Sequence, residues 1–392
     1  MSSTAPPTRS IDSFTFACII AHALLGWVLT GIGAVLPDLH DSLGALGSVY
    51  PLLPGAALLV AGLFTLRRPH RSGRPHHEVI RWSSGGVAVA LGLIVVTGVK
   101  PVSALGAVLL ASTAAVLIRL LPAALTSHHP ADAQSVITSA NAWGSTAGGL
   151  GPLAIGGAAA VGLGWRVGFI GPPIAACVII VVLMATAQGS DDAAMPHSAE
   201  HPHEVGVEQP WVDAWLLLTL GILVEFSFSF FAATYLREEV HMSSAASAAG
   251  AAGFAIGMTG GRFLSVLFTW FGSLRPQYHL IWLTTGFLLM WLVPNAVTAI
   301  TGLGLAGIGI SLMYPTGINR LMRRFPESVE RGSARGGLAS GTALLTAPAV
   351  LGGLRGLSNV RTAYLAVPAL VVALFLTYRW CDRTEQRVFA RR

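Results

Sequence analysis

The sequence predicts an all-α integral membrane protein, with twelve transmembrane helices arranged in two pseudo-symmetric six-helix halves. Three observations lead to this prediction: an apolar composition, a series of long apolar runs, and a weak similarity between the two parts of the chain. Of the 392 residues, 53% are hydrophobic and only 11% are charged. Because a soluble domain carries about 25% charged residues, this chain has too few polar side chains to cover a water-facing surface.

The apolar runs have the length of a helix that crosses a hydrocarbon core, which is about 20 residues. They are continuous rather than alternating, which favours helices over a transmembrane barrel. The runs occupy residues 14–37, 49–66, 82–99, 103–126, 135–160, 167–187, 211–235, 245–271, 279–297, 299–319, 335–354 and 361–380.

The distribution of basic residues predicts how these helices are oriented. Seventeen of the 24 Lys and Arg residues fall on one predicted side, mainly in 67–81, 319–335 and 379–392, and five fall on the other. Since the side richer in basic residues faces the cytoplasm, we expect both termini to be cytoplasmic, in a plasma membrane. The charge does not cluster on a soluble module, which argues against nucleic-acid binding.

The gap at 188–210 separates the two predicted halves. It holds five acids, no Lys or Arg and no hydrophobic period, which predicts a flexible cytoplasmic linker. The predicted organisation is a tail at 1–13, a first half at 14–187, the linker, a second half at 211–380 and a tail at 381–392.

Short similarities relate the two halves, for example GPLAIGG at 151–157 and APAVLGG at 347–353. Internal repeats in a membrane chain are typical of transporters built from two halves around a midplane site. We therefore expect a small-molecule substrate and a lipid bilayer as partners, and a monomeric protein.

Three further motifs carry a resemblance to a known family: GLGWRVGF at 162–169, GSTAGGLGPLAIGG at 144–157 and GMTGGR at 257–262. The first resembles the Trp-Arg turn after the fifth helix of the major facilitator superfamily. The second is similar to the Gly/Pro-rich fifth helix of its antiporters, and the third to the Gly-Arg pattern of its eighth helix. The resemblance covers nearly the whole chain.

This resemblance implies a bacterial secondary transporter that works by rocking of its halves and is coupled to protons. The fifth-helix similarity favours export of a drug or metabolite, with proton-driven uptake of a small polar nutrient as the alternative. Two stretches depart from the family pattern. Leu66 and Pro69 replace an acid and a glycine of the loop between helices two and three, and 354–361 lacks an acid often found there. The acids that these two stretches lack belong to the family's usual helix-end charge latch, so we do not expect that latch in this chain.

Glu225 is the only acid well inside a predicted span. Counted from Trp211, it lies about 20 Å along the seventh helix, near mid-membrane. Ionisable residues at that depth usually face the bundle interior and mark a proton or substrate path. We predict that Glu225 couples protons or binds substrate, and a purely structural protonated carboxyl is the alternative.

Two arginines also lie deep in predicted spans. Arg262, on the eighth run, needs a counter-charge or carbonyls, and Glu225 is its candidate partner. Such pairing would hold the Glu225 carboxylate charged and compete with a proton-switch role; snorkelling to the headgroups is the alternative for Arg262. Arg119 falls where many members of the superfamily carry a fourth-helix arginine, and it is predicted as an anion clamp or a snorkelling helix end.

Four other residues complete the candidate site. The Asn141 side chain could hydrogen-bond cargo or join two helices. Phe226 and Tyr314 are predicted to line a cavity. His22, on the first run, is a candidate with a packing role as the alternative.

No cofactor, metal or disulfide is predicted. Residues 302–307 match GxGxxG by letter but lie inside an apolar run, and no Walker lysine follows any glycine loop. The linker histidines and the pairs at 76–77 and 128–129 are interpreted as solvated residues. Without HExxH, GxSxG or paired intramembrane acids, an enzyme is not predicted. A channel or sensor is the alternative class to a carrier.

Overall fold

The structure is a computed structural model that describes residues 12–44, 47, 49–67, 75–96, 99–130, 132–187, 210–268, 276–325 and 329–389. Within these ranges the chain is almost wholly helical and contains no strand. The predicted tail up to residue 11, residues 68–74 with Pro69, and residues 188–209 of the predicted linker with its histidines lie outside the described residues.

The described residues form α-helices of very different lengths. In order they are α1 (Ser13–Ala34), α2 (Leu36–Leu43), α3 (Leu53–Arg67), α4 (His76–Val96), α5 (Lys100–His128), α6 (Ala133–Ala160), α7 (Gly171–Ala187), α8 (Val212–Glu238), α9 (Ser244–Leu267), α10 (Pro276–Leu292), α11 (Ala296–Ile310), α12 (Met313–Met322), α13 (Val329–Leu357), α14 (Val360–Ala363) and α15 (Ala366–Phe389).

Among the described residues, eight helical segments are long and apolar enough to cross a membrane. Two shorter apolar helices, Tyr50–Phe64 and Tyr278–Leu292, accompany them. The chain is therefore an all-α, multi-pass membrane protein, as the composition predicts. The described residues of every predicted run lie mainly in one helix or in two consecutive helices. Twelve membrane crossings, and the domain bounds, stay predictions.

The buried apolar residues form two separate cores. One consists of residues between 17 and 183, with Ala248 of α9 added. The other consists of residues between 214 and 381, with three residues of the earlier helices added. We refer to α1–α7 as the N-terminal helices and to α8–α15 as the C-terminal helices.

The most extensive contacts between the two groups are those of α6 with α9, α3 with α13, and α1 with α8. Glycines allow their backbones to approach closely. A Cβ at Gly33 of α1 would collide with the Ser229 carbonyl of α8, and one at Gly55 of α3 would collide with the Leu345 amide of α13. Small residues serve the same purpose in other membrane helix pairs, where the hydrophobic effect does not drive association.

The tenth predicted run, 299–319, is not one continuous helix, which corrects the expectation from the sequence. α11 ends at Ile310 and α12 begins at Met313. Pro315 supplies the physical reason, because it has no N–H and its ring clashes with the carbonyl of the residue four positions earlier, Ser311. The break leaves the Ser311 carbonyl without its helical donor.

Arg324, in the gap at 319–335, is buried rather than exposed on the surface like a solvated charge. Its Nη2 lies 3.1 Å from Asp213 Oδ2, and the two side chains are 3% and 2% exposed. The pair joins the start of α8 to the end of α12. Removing one partner of such a pair leaves an uncompensated buried charge, which typically costs about 3–5 kcal/mol.

Candidate functional site

Arg262 of α9 lies at the centre of a polar cluster in the protein interior. Its side chain is buried, with the residue 5% exposed. The Nε atom donates to the Ser311 carbonyl at 3.1 Å, and Nη1 donates to the Asn141 carbonyl at 2.9 Å. The guanidinium therefore points into the protein and does not snorkel toward headgroups.

The sequence explains why Ser311 accepts a bond from a distant arginine. A buried carbonyl without a donor is costly, so a neighbouring group normally satisfies it. Pro315 withdraws the helical donor, and the Arg262 Nε takes its place. The Arg262 side chain thus supplies the hydrogen bond that the break between α11 and α12 removes.

The second bond of Arg262 crosses from the C-terminal to the N-terminal helices. Asn141 lies on α6, and its own amide Nδ2 donates to the Ile137 carbonyl at 3.0 Å, one turn earlier. Ser145 Oγ also donates to the Asn141 carbonyl, at 3.1 Å. Arg262 is therefore held by the Asn141 main chain, and the Asn141 side chain is turned toward its own helix.

Glu225 lies near the middle of α8 and is half-buried. Within the described residues, its carboxyl forms no hydrogen bond and no ion pair. Arg262 and Tyr314 nevertheless lie close enough to act on it electrostatically. The ion pair with Arg262 that the sequence suggested as one alternative is not formed, although the two charges face one interior region.

Two aromatic candidates adjoin this region. Tyr314 opens α12 just after the break and is half-buried. Phe226 follows Glu225 in the chain, and its ring centroid lies 5.0 Å from that of Phe230. The structure therefore brings together Glu225, Arg262 and Tyr314, with Asn141 joining through its carbonyl.

Arg119 and His22 make their described contacts elsewhere. Arg119 of α5 lies against α13, where Ser333 Oγ donates to the Arg119 carbonyl at 3.4 Å. His22 of α1 is buried, and its Nδ1 lies 2.9 Å from the Cys18 carbonyl of the same helix. A bond within one helix turn is the contact of a packed histidine.

A second polar contact between the two groups of helices was not predicted from the sequence. It lies between α2 and the end of α8, on the predicted outer side. Arg237 reaches Asp38 Oδ1 with Nη1 and Asp41 Oδ2 with Nη2, each at 3.0 Å. Ser244 Oγ also donates to Asp38 Oδ1, at 2.9 Å. The spacing of Asp38 and Asp41, one helical turn apart, was the available signal.

No protein-family model matches the chain. Solved structures match it over nearly its full length. A bacterial homologue of the human lysosomal transporter Spinster, inward-facing and occupied, shares 17% identity with a TM-score of 0.64, covering 97% of this chain and 98% of that one. FucP, a major facilitator superfamily transporter in the outward conformation, shares 16% with a TM-score of 0.57, covering 93% and 99%.

The protein has the major facilitator superfamily fold. A point mutant of the nucleoside transporter NupG adds a third match, with 13% identity and a TM-score of 0.63, covering 94% of this chain and 98% of that chain. At these identities the likeness concerns the fold alone, and the fold is the one the motifs predicted. Within this major facilitator fold, the GLGWRVGF motif forms a 3-10 turn at Trp165–Phe169, with the Arg166 guanidinium 4.7 Å from the Trp165 ring.

Proposed function

We propose that the protein is a secondary active transporter that moves a small organic molecule by alternating access, coupled to protons. The fold, shared with proteins described as transporters, supports this class. The observation that carries the proposal is the polar cluster. Glu225 has no bonded partner among the described residues, while the arginine beside it bridges the N-terminal and C-terminal helices.

The proposed coupling is a competition for Arg262. A charged Glu225 attracts the guanidinium, whereas a protonated Glu225 leaves it to the Asn141 carbonyl. Two opposite charges that have come into contact, about 4 Å apart, interact by about 4 kcal/mol at an effective dielectric constant of about 20. A hydrogen bond to a charged group contributes about 1.5–3 kcal/mol. The two attractions are of similar size, so one proton suffices to change the preferred position of Arg262.

This competition would link protonation to the relative position of the two groups of helices. The bond between Arg262 and Asn141 crosses from α9 to α6, so it must break when those helices separate at this depth. A ligand or proton shifts a two-state equilibrium only by its differential affinity for the states. In this proposal, the proton favours the state in which Arg262 is hydrogen-bonded to the Asn141 carbonyl, because protonation of Glu225 permits that bond.

We assign cargo contact to Phe226 and Tyr314, because both are half-buried aromatic residues beside Glu225. Arg119, His22 and the Asn141 side chain enter the proposal only as candidate contacts.

We further propose a monomer in a bacterial plasma membrane, with cytoplasmic termini, working as an exporter rather than as an enzyme. The fifth-helix similarity to antiporters supports export.

The test is solute flux in vesicles that contain the purified protein. A panel of labelled nucleosides, sugars and amphiphilic cations would be offered under an imposed pH gradient. We expect at least one solute to be moved uphill, saturably, and to stop when an ionophore collapses the gradient. Movement opposite to the protons supports export, and movement with them supports uptake. Ohmic ion conductance without saturable solute flux would contradict the carrier.

A further inference from the structure

Three potential metal ligands meet at the junction between the start of α1 and the end of α5. Asp12 precedes α1, and His128 and His129 close α5. Asp12 is 116 residues from His128 in the chain, yet one ligand atom from each of the three residues lies within 4.8 Å of the others. This grouping could not be predicted from the sequence, where the histidine pair is interpreted as solvated.

Both imidazoles present the same nitrogen to the start of α1. His128 Nε2 lies 2.7 Å from Asp12 Oδ2, and His129 Nε2 lies 2.6 Å from the Thr15 hydroxyl oxygen. In a tetrahedral zinc site, nitrogen and oxygen ligands stand about 2.0–2.2 Å from the metal and hence about 3.3 Å from each other. The three ligand atoms need only small shifts to surround one ion.

Contacts outside the ligand atoms orient this group. The Thr15 backbone N–H donates to Asp12 Oδ1 at 2.7 Å, which leaves Oδ2 for an ion. The Phe14 ring packs 4.9 Å from that of His128, and the His128 and His129 rings meet edge to face at 4.8 Å. Such supporting contacts usually hold metal ligands in place.

The local charge also suits a cation. The carboxyl end of α5 carries partial negative charge from its last carbonyls. Burial alone would raise the pKa of Asp12, but hydrogen bonds from the Thr15 backbone and His128 outweigh it and bring that pKa below its ordinary value. Both His128 and Asp12 keep over two-fifths of their side-chain surface exposed, at 42% and 46%, so an ion and a water ligand can reach them.

We propose that Asp12, His128 and His129 bind a divalent transition-metal ion of the zinc class and thereby cross-link the start of α1 to the end of α5. Two imidazoles and one carboxylate select this class, because magnesium and calcium prefer sites built from oxygen alone. Water would fill the fourth position. The ion replaces the hydrogen bonds that His128 and His129 now make and displaces any proton on their Nε2 atoms.

The experiment uses the full-length protein with His197, His201 and His203 replaced by alanine, so that linker histidines cannot contribute. After chelator treatment, Zn²⁺ binding is measured by titration calorimetry and by the shift in thermal unfolding. We expect one ion bound with micromolar affinity and a rise of several degrees in the unfolding midpoint. Absence of binding by this protein would overturn the proposal.

Three variants assign the ligands. His128→Ala, His129→Ala and Asp12→Asn should each weaken Zn²⁺ binding at least tenfold. Asparagine caps helices about as well as aspartate, so Asp12→Asn should leave the metal-free unfolding midpoint unchanged. The double variant His76→Ala/His77→Ala is the matched control and should bind as before. Unchanged affinity in the first three, or sulfur ligands in the X-ray absorption spectrum of the bound zinc, would contradict the assignment.

Discussion

Arg262 and Arg237 make the same kind of connection in two different surroundings. Each lies on a C-terminal helix and donates across to an N-terminal one. Arg262 is buried and donates to main-chain carbonyls, whereas Arg237 keeps 30% of its side chain exposed and pairs with two carboxylates. One contact lies in the interior near Glu225, and the other lies at the predicted outer rim.

The solvent exposure of each contact determines how much free energy it contributes to the packing of the two groups of helices. An ion pair that solvent reaches contributes about 0–1 kcal/mol and is screened by salt. A bond from a buried guanidinium is stronger, and losing it also leaves a buried carbonyl without a donor. We therefore expect the interior contact to dominate the adhesion between the two groups of helices, and the rim contact to adjust their alignment.

The largest effect should follow from Arg262→Gln. It removes two charge-assisted bonds, so the free energy of unfolding should fall by about 3 kcal/mol or more. Arg262→Lys keeps the charge but cannot span both carbonyls as the guanidinium does, so its loss should be smaller. Thermal and denaturant unfolding in detergent would measure both. A glutamine variant as stable as the parent protein would show that the interior contact does not hold the helices.

The next effect isolates the role of the helix break. Pro315→Ala restores an N–H that can donate to the Ser311 carbonyl, so Arg262 becomes partly redundant. The cost of Arg262→Gln should then be lower by about 1 kcal/mol in the alanine background, as a double-mutant cycle of unfolding free energies would report. Additive effects of the two substitutions would mean that Pro315 does not create the acceptor for Arg262.

The smallest effect belongs to the rim. Arg237→Gln should cost about 1 kcal/mol or less, and the difference should vanish near 1 M salt. Arg355→Gln is the matched control, because Arg355 is 31% exposed and pairs with Glu238 within the C-terminal helices.

The two rim variants should differ in conformation rather than in stability. Spin labels at His40→Cys and His241→Cys, with Cys177→Ser to remove an exposed thiol, report the separation of the groups. Arg237→Gln should lengthen or broaden the distances, and Arg355→Gln should not. Equal distance distributions in both variants would remove the rim contact from the conformational equilibrium.

Most of the helices could be predicted from the sequence because they follow from local apolar runs, whereas residues 38–43 of α2 lie beyond the first run and were not predicted as helix. The break after Ile310 also has a local signal, Pro315, although the apolar run alone predicts one continuous helix. The partner of Arg262 could not be predicted in the same way. A main-chain carbonyl on α6 leaves no mark in the sequence, since every residue carries one.

The positions and partners of charged side chains were the hardest features to predict from the sequence. Arg324 looks like a surface charge in a basic gap, and only the packing of α8 against α12 reveals that Asp213 covers it. The grouping of Asp12 with His128 and His129 depends likewise on two helix ends that meet in space. Glu225 was found because an acid within an apolar run is costly wherever that run packs.

The most direct test of the proposed coupling compares Glu225→Gln with Glu239→Gln, in the vesicles and with a solute that the flux panel identifies. Glu239 serves as the control because it caps the end of α8 instead of lying at its middle. We predict that Glu225→Gln abolishes uphill, pH-driven accumulation and solute-dependent proton movement while solute exchange without a gradient continues, and that Glu239→Gln behaves like the parent protein. Undiminished uphill transport by Glu225→Gln would contradict the role of Glu225 in coupling.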